Sequence, residues 1–194
     1  MRLTILFGGT TTSILSMIAL FLVFFGTLWV IVVVVGWLRK SPWKGNKMIR
    51  TAIEDLRTTL DASSREMASF SEEEASEKPA PDKWSKKEAM GHLIDSAANN
   101  HQRFVRAQLS AELKLPGYEQ SAWVSTQQYQ NESWQALLQL WRSYNLHILH
   151  IVSAIPESAL HNFCFIGANE PVTLEFLIQD YVRHLKHHIE QILE

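Results

Sequence analysis

The sequence predicts an all-α protein, a four-helix bundle preceded by one transmembrane helix. Three observations lead to this fold class. A long uncharged apolar stretch lies near the amino terminus, helical hydrophobic periodicity recurs four times in the rest of the chain, and no stretch shows the alternation typical of a β-strand. With 46% hydrophobic and 20% charged residues, the 194-residue chain is too apolar for a disordered protein and has room for one domain with an appendage.

The apolar stretch runs from Ile14 to Leu38, 25 residues without a charge. This length is sufficient to cross a hydrocarbon core about 30 Å thick. Four bases at positions 39–47 follow it, whereas only Arg2 and the amino terminus precede it, so the positive-inside rule places the carboxyl side in the cytoplasm. We therefore expect a single-pass protein of the inner or plasma membrane. A cleaved signal peptide is disfavoured because its apolar core would be shorter, but a true start at Met48 would give a soluble cytoplasmic protein.

These features divide the chain into four segments: a short tail over 1–13, a transmembrane helix over 14–38, a basic juxtamembrane linker over 39–47 and the helical bundle over 48–194. Residues 1–50 hold six bases and no acid, while the other 144 residues hold 12 bases and 20 acids. An acidic main body argues against nucleic-acid binding, which depends on phosphate neutralisation. The single cysteine, Cys164, excludes an internal disulfide, and we expect a buried, inert thiol.

The first two bundle helices are separated by an acidic, proline-containing run. Apolar residues at helical spacing predict the first helix from Met48 to about Phe70. Ser85 and Glu88 form a capping-box pattern that begins the second helix, which should reach about Leu109.

The last two helices follow a long irregular connection. A cap near Ser133 begins the third helix, which faces inward with Leu140 among other residues, and Pro156 ends it. Residues 161–173 are predicted to form a loop with at most a short extended piece. Thr173 then caps the fourth helix, which runs to the carboxyl terminus with Phe176 on its inward stripe.

Two of the eight histidines, His184 and His188, have a spacing that suits a metal site. Four residues apart on a helix, they lie on one face and can both reach one ion at about 2.1 Å. A third ligand must come from elsewhere, and His92 on the inward stripe of the second helix is the best candidate. His147 and His150 of the third helix are alternatives. Without a metal, all of these would be surface histidines or hydrogen-bonded core histidines.

Three polar residues near these histidines could take part in chemistry. Asp95 follows His92 by three residues and Asp180 precedes the histidine pair by four, so each could orient an imidazole or a bound water, or simply be a surface charge. Asp95 is our candidate catalytic base, because one helical turn could bring it beside a metal-bound water. Gln191, on the stripe of the histidine pair, is our candidate for substrate binding. It could also bond a metal ligand or be a polar helix end.

Three segments resemble the DinB/YfiT-like superfamily. The stretch KWSKKEAMGHLIDSAANNHQRF resembles the family's second helix, with its Trp, its capping Ser and Glu and its His-Leu-x-Asp. The stretch PGYEQSAWVSTQQY resembles the connecting segment. The ending YVRHLKHHIEQIL resembles the terminal helix, in which His-x-x-x-His is followed by a Gln. The three segments occur in the family's order within residues 48–194, and the transmembrane segment lies outside the family's pattern.

The resemblance implies a four-helix bundle in which His92, His184 and His188 hold a divalent metal, with zinc or nickel the usual occupant. Three neutral histidines with an open position form a catalytic type of site. The implied function is metal-dependent hydrolysis of a small-molecule substrate. One alternative is metal-dependent transfer of a low-molecular-weight thiol (bacillithiol, mycothiol or glutathione), and a second is a non-catalytic, membrane-tethered bundle. Homodimers are common in the family, so a second copy of the chain is a further expected partner.

Overall fold

The protein is described by a computed structural model that covers residues 46–194. Its helices are α1 (Lys47–Met67), α2 (Glu72–Ser76), α3 (Lys86–Arg106), α4 (Gln120–Gln127), α5 (Trp134–Ala154) and α6 (Leu174–Leu193). Single 3-10 turns lie at Tyr129–Asn131 and Glu157–His161, and the strands are β1 (Glu112–Leu115), β2 (Phe163–Ile166) and β3 (Val172–Thr173).

The four long helices form the predicted bundle. α3 packs against α5 and α6, and α1 packs against the same two helices, so α1 and α3 lie diagonally opposite each other. Large side chains such as Trp134, Trp141 and Phe104 are fully buried between them. The indole of Trp134 donates to the carbonyl oxygen of Met67 at 2.9 Å, which ties the start of α5 to the end of α1. Burial of these apolar faces is the main source of the bundle's stability.

Local signals in the sequence determine where the helices begin. Ser85 accepts a hydrogen bond from the Glu88 amide at 3.2 Å, while the Glu88 carboxylate accepts one from the Ser85 amide at 2.9 Å. Ser133 and Thr173 cap α5 and α6 in the same way through their hydroxyl oxygens. The predicted helix starts are therefore confirmed, and α5 ends just before Pro156.

A short extended piece was predicted only within residues 161–173, and the sheet was not predicted. β1 pairs with β2 in parallel and β2 pairs with β3 antiparallel, forming a three-stranded sheet. β1 lies in the connection predicted to be irregular, and β2 and β3 lie in residues 161–173, predicted to be a loop. Strands of four, four and two residues are too short to show an alternating pattern. The fold is therefore mostly helical rather than purely α.

Two further predictions about the bundle need correction. Leu140 and Phe176, both expected to face inward, are 50% and 45% exposed because they lie at the margins of the buried stripes of α5 and α6. The acidic run after α1 contains α2, which Ser71 caps. Helical structure thus continues where the sequence pattern appeared broken.

None of the helices within residues 46–194 is long and apolar enough to cross a membrane. The predicted tail over 1–13, the transmembrane helix over 14–38 and most of the linker over 39–47 lie outside the described residues. The membrane location therefore stays a prediction.

Candidate metal centre

Three histidines from two helices converge inside the bundle. His92 of α3 is completely buried, and His184 and His188 lie one turn apart on the facing side of α6, each partly exposed. The Nε2 atoms of His92 and His184 are 3.2 Å apart. One ring nitrogen from each of the three lies within 4.8 Å of the other two. The structure thus brings together the three predicted ligands, which we call the inner triad.

The spacing of His92 and His184 and the charge of the inner triad suit a divalent metal ion. Two imidazole nitrogens bound to one ion at about 2.1 Å lie roughly 3.0–3.4 Å apart for octahedral to tetrahedral angles, and the observed 3.2 Å falls in that interval. Burial, together with His188 and His184, lowers the pKa of His92 to about 3, and burial lowers the pKa of His184 to about 4. Burial also lowers the pKa of His188. The three imidazoles are therefore mainly neutral at physiological pH, as metal ligands must be.

Gln191 fixes the orientation of one of these rings. The Nδ1 atom of His188 donates to Oε1 of Gln191 at 2.8 Å, and Nε2 of Gln191 donates to Nε2 of His187 at 3.1 Å. With its proton on Nδ1, His188 keeps the lone pair on Nε2 free for a metal. Such outer partners commonly orient metal-binding histidines. Gln191 therefore supports a predicted ligand, and its predicted contact with substrate stays a prediction.

His92 is held differently. Its Nδ1 atom is buried and has no hydrogen-bond partner among the described residues. The ring of Trp84 lies 5.1 Å from the His92 ring, centroid to centroid. Packing, rather than a carboxylate or carbonyl partner, therefore holds this ring in place. Trp84 immediately precedes the capping Ser85. Adjacent residues at the start of α3 therefore cap the helix and pack against the His92 ring.

Asp95 lies one turn after His92 in a network of its own. Its Oδ1 accepts hydrogen bonds from Nε2 of Gln127 at 2.6 Å and from the Tyr129 hydroxyl at 2.8 Å. Its Oδ2 is buried without a partner among the described residues. Burial raises the pKa of the Asp95 carboxyl, and the two hydrogen bonds oppose that effect. The structure records no hydrogen bond from Asp95 to the inner triad within residues 46–194.

A glycine makes this network possible. A Cβ atom added to Gly91 would lie 2.0 Å from a ring carbon of Tyr129, so the ring packs directly on the α3 backbone. This close approach brings the Tyr129 hydroxyl to Asp95. Gly91, Gln127 and Tyr129 were missed from the sequence, where the one available signal was a lone glycine inside a helical pattern.

The other predicted candidates lie elsewhere. His147 and His150 project from α5 on the bundle surface, where the ring of His101 lies 5.2 Å from that of His147. The Asp180 carboxylate accepts a hydrogen bond from Arg183 at 2.6 Å rather than from an imidazole. Cys164 is fully buried in β2, and burial raises the pKa of its thiol, as expected for an inert cysteine.

This arrangement defines a class of protein: a helical bundle whose core histidines can share one cation. The model of the DinB superfamily matches residues 55–192. The chain therefore belongs to the DinB superfamily, and the resemblance seen in its three sequence segments is confirmed.

Solved structures show the same fold. YfiT from Bacillus subtilis, described as a probable metal-dependent hydrolase with an unusual four-helix bundle topology, superposes with a TM-score of 0.67 at 18% identity over 79% of this chain and 89% of that chain. A mycothiol-dependent maleylpyruvate isomerase matches with a TM-score of 0.61 at 12% identity over 73% of this chain, which spans 59% of the isomerase chain. Comparison with curated proteins finds no match. At these identities the likeness concerns the fold alone.

Proposed function

We propose that this protein is a metal-dependent hydrolase of a small-molecule substrate, with His92, His184 and His188 as ligands of one divalent ion, zinc or nickel. The observation that carries the proposal is the convergence of three neutral imidazoles from two helices. When bound, such an ion would supply Lewis acidity, which polarises carbonyl groups and brings the pKa of water near 7. The description of YfiT as a probable metal-dependent hydrolase supports this choice.

Asp95 is the proposed proton acceptor. Its Oδ2 has no donor among the described residues, and its raised pKa brings it closer to the range in which a carboxylate accepts a proton near neutral pH. Gln127 and Tyr129 would hold the carboxylate in one orientation. Asp95→Asn keeps an oxygen for these two donors, so we expect an activity loss of about 100-fold with metal content unchanged. Equal activity in this variant would remove Asp95 from the mechanism.

The hydrolase proposal is tested on the full-length chain in detergent. The protein is stripped with a chelator, reloaded with Zn²⁺ or Ni²⁺, and assayed against a panel of esters and amides. We expect activity to disappear on stripping, to return on reloading, and to be absent in His92→Ala under both conditions. Hydrolysis that is unaffected by stripping, or no hydrolysis by the loaded protein across the panel, would contradict the proposal.

Thiol transfer is the second candidate, favoured by the likeness in fold to a mycothiol-dependent isomerase. A metal with an open coordination position can also bind a thiol and stabilise its thiolate. The same loaded protein is therefore assayed with an electrophile in the presence and absence of bacillithiol, mycothiol or glutathione. A reaction that requires the thiol would replace hydrolysis as the assigned activity. A chain that retains no metal after loading would instead favour the non-catalytic bundle.

A further inference from the structure

A cavity of about 480 Å³ adjoins the inner triad at His184. It extends between α3 and α6 to the three-stranded sheet, and Tyr118 from the β1–α4 connection forms part of its wall. Its volume lies in the range of small-molecule sites. Among the described residues that line it, Arg103 is the one lysine or arginine.

The guanidinium of Arg103 has hydrogen-bonding capacity that the described residues leave unused. A guanidinium carries five N–H donors, and the one hydrogen bond that the guanidinium of Arg103 makes to the described residues runs from Nη1 to Oδ1 of Asn100 at 3.3 Å. Among the ion pairs formed by residues 46–194, none includes Arg103. Burial lowers the pKa of Arg103, but an arginine stays charged in proteins. A partly buried cation without an ion-pair partner is costly unless a ligand provides one.

Two carboxylates also line the cavity, and neither forms an ion pair with Arg103, although Asp180 is close enough to raise the pKa of the guanidinium, against the effect of burial. Asp180 accepts its hydrogen bond from Arg183, which lies outside the cavity lining, and Glu170 is exposed. The three neutral imidazoles of the inner triad contribute no negative charge of their own. A divalent ion held there would make the inner end of the cavity positive, which favours an anionic ligand.

We propose that this cavity binds a small organic carboxylate, with the Arg103 guanidinium paired to the carboxylate group. Asn100 holds the guanidinium, and Tyr118 forms part of the cavity wall. The anion site itself requires no metal. Only the second part of the inference rests on the proposed function: that the bound carboxylate is the substrate and extends toward His184.

The test uses benzoate and its neutral isostere benzamide as probes. Equilibrium dialysis with each radiolabelled compound measures binding to the metal-free, full-length chain. We expect benzoate to bind at least about tenfold more tightly than benzamide, since a hydrogen-bonded charged pair contributes a factor of about ten or more. In Arg103→Gln, the affinity for benzoate should fall to that for benzamide. Arg106→Gln, which removes an exposed cation three residues further along α3, should leave benzoate binding unchanged.

Equal binding of the two probes to the wild-type protein, no binding of benzoate, or equal benzoate affinity in wild type and Arg103→Gln would overturn the inference. If Arg103→Gln does not fold, the contrast between benzoate and benzamide in the wild type decides alone. Failure of the hydrolase assay leaves the result in the metal-free protein intact. Conversely, benzoate binding that depends on metal loading and not on Arg103 would refute the anion site without affecting the proposed function.

Discussion

The bundle contains two clusters of three histidines that differ in almost every physical respect. In the inner triad, one nitrogen from each ring lies within 4.8 Å of the other two, around a completely buried His92. The second cluster, which we call the outer cluster, consists of His101, His147 and His150. Its ring centroids are 5.2 Å apart for His101 and His147 and 6.4 Å apart for His147 and His150.

The two clusters share α3 but use opposite sides of it. His92 and His101 are nine residues apart, two and a half helical turns, so one faces α6 and the other faces α5. The inner rings are supported by Gln191 and Trp84, whereas His147 and His150 are exposed to water. A pair of histidines on one helix therefore occurs in both clusters, and we propose a metal site only at the inner triad. A buried ring on a facing helix, with support behind the ligands, makes the difference.

The largest expected effect is the loss of metal from a triad variant. His184→Ala removes one of three ligands, and we expect a loss of metal affinity of at least about 100-fold, since even an outer partner of a ligand contributes 10–100-fold. His147→Ala is the matched control from the outer cluster and should keep about one divalent ion per chain. Metal content by plasma mass spectrometry, with circular dichroism to confirm folding, measures both. Equal metal loss in the two variants would erase the distinction between the clusters.

The next effect concerns the packing beside the inner triad. Gly91→Ala would place a methyl group inside the Tyr129 ring, so we expect a decrease of about 3 kcal/mol in the free energy of unfolding. Gly117→Ala is the control, because its nearest contact would be an ordinary 3.9 Å to Gly167. Chemical denaturation of both variants gives the values.

A double variant identifies the cause of that decrease. If the overlap with Tyr129 is responsible, Gly91→Ala combined with Tyr129→Ala should cost clearly less than the sum of the two single changes. Additive costs would show that Gly91 matters for some other reason, such as backbone conformation.

The helices and the inner triad could be predicted because their signals are local. Ser85 and Glu88 are three residues apart, and the pair of histidines on α6 four apart, so each pattern is complete within one turn of helix. The inward position of His92 made it the best candidate for the third member, and the family resemblance then favoured it over His147 and His150, since periodicity does not say which helix an inward face meets.

The sheet and the Asp95 network could not be predicted because they depend on the path of the connections. Leu113 pairs with Cys164 across 51 residues, and Tyr129 reaches Asp95 across 34. Nothing in the sequence near Asp95 indicates that a tyrosine and a glutamine will bond its Oδ1. Polar contacts of this kind follow from the tertiary fold rather than from spacing.

A smaller effect is expected from the support behind the triad. Gln191→Ala removes the acceptor that holds Nδ1 of His188, so we expect metal affinity to fall by about tenfold while the fold is retained. Gln139→Ala, on the exposed surface of α5, is the control. Competition with a chromophoric chelator measures the affinities. An unchanged affinity in Gln191→Ala would mean that packing alone orients His188, as it does His92.

The smallest expected effect is a change in stability with pH near the inner triad. It concerns Asp95, which lies one turn after His92 and is the one buried carboxylate among the described residues. Its pKa is raised by burial, so between the pKa of the unfolded state and this raised pKa the folded state binds more protons than the unfolded state, and acidification through that interval favours folding. In the metal-free protein, Asp95→Asn should therefore be more stable than the wild type at pH 7, and this difference should shrink as the pH falls toward 4. The effect is small because the hydrogen bonds from Gln127 and Tyr129 oppose that of burial. Urea denaturation across this pH range measures the difference, with the exposed Asp61→Asn as the control for removing one negative charge. A constant difference would show that folding leaves the Asp95 pKa unchanged, and a difference that grows with acidification would show that the folded state stabilises the charged carboxylate.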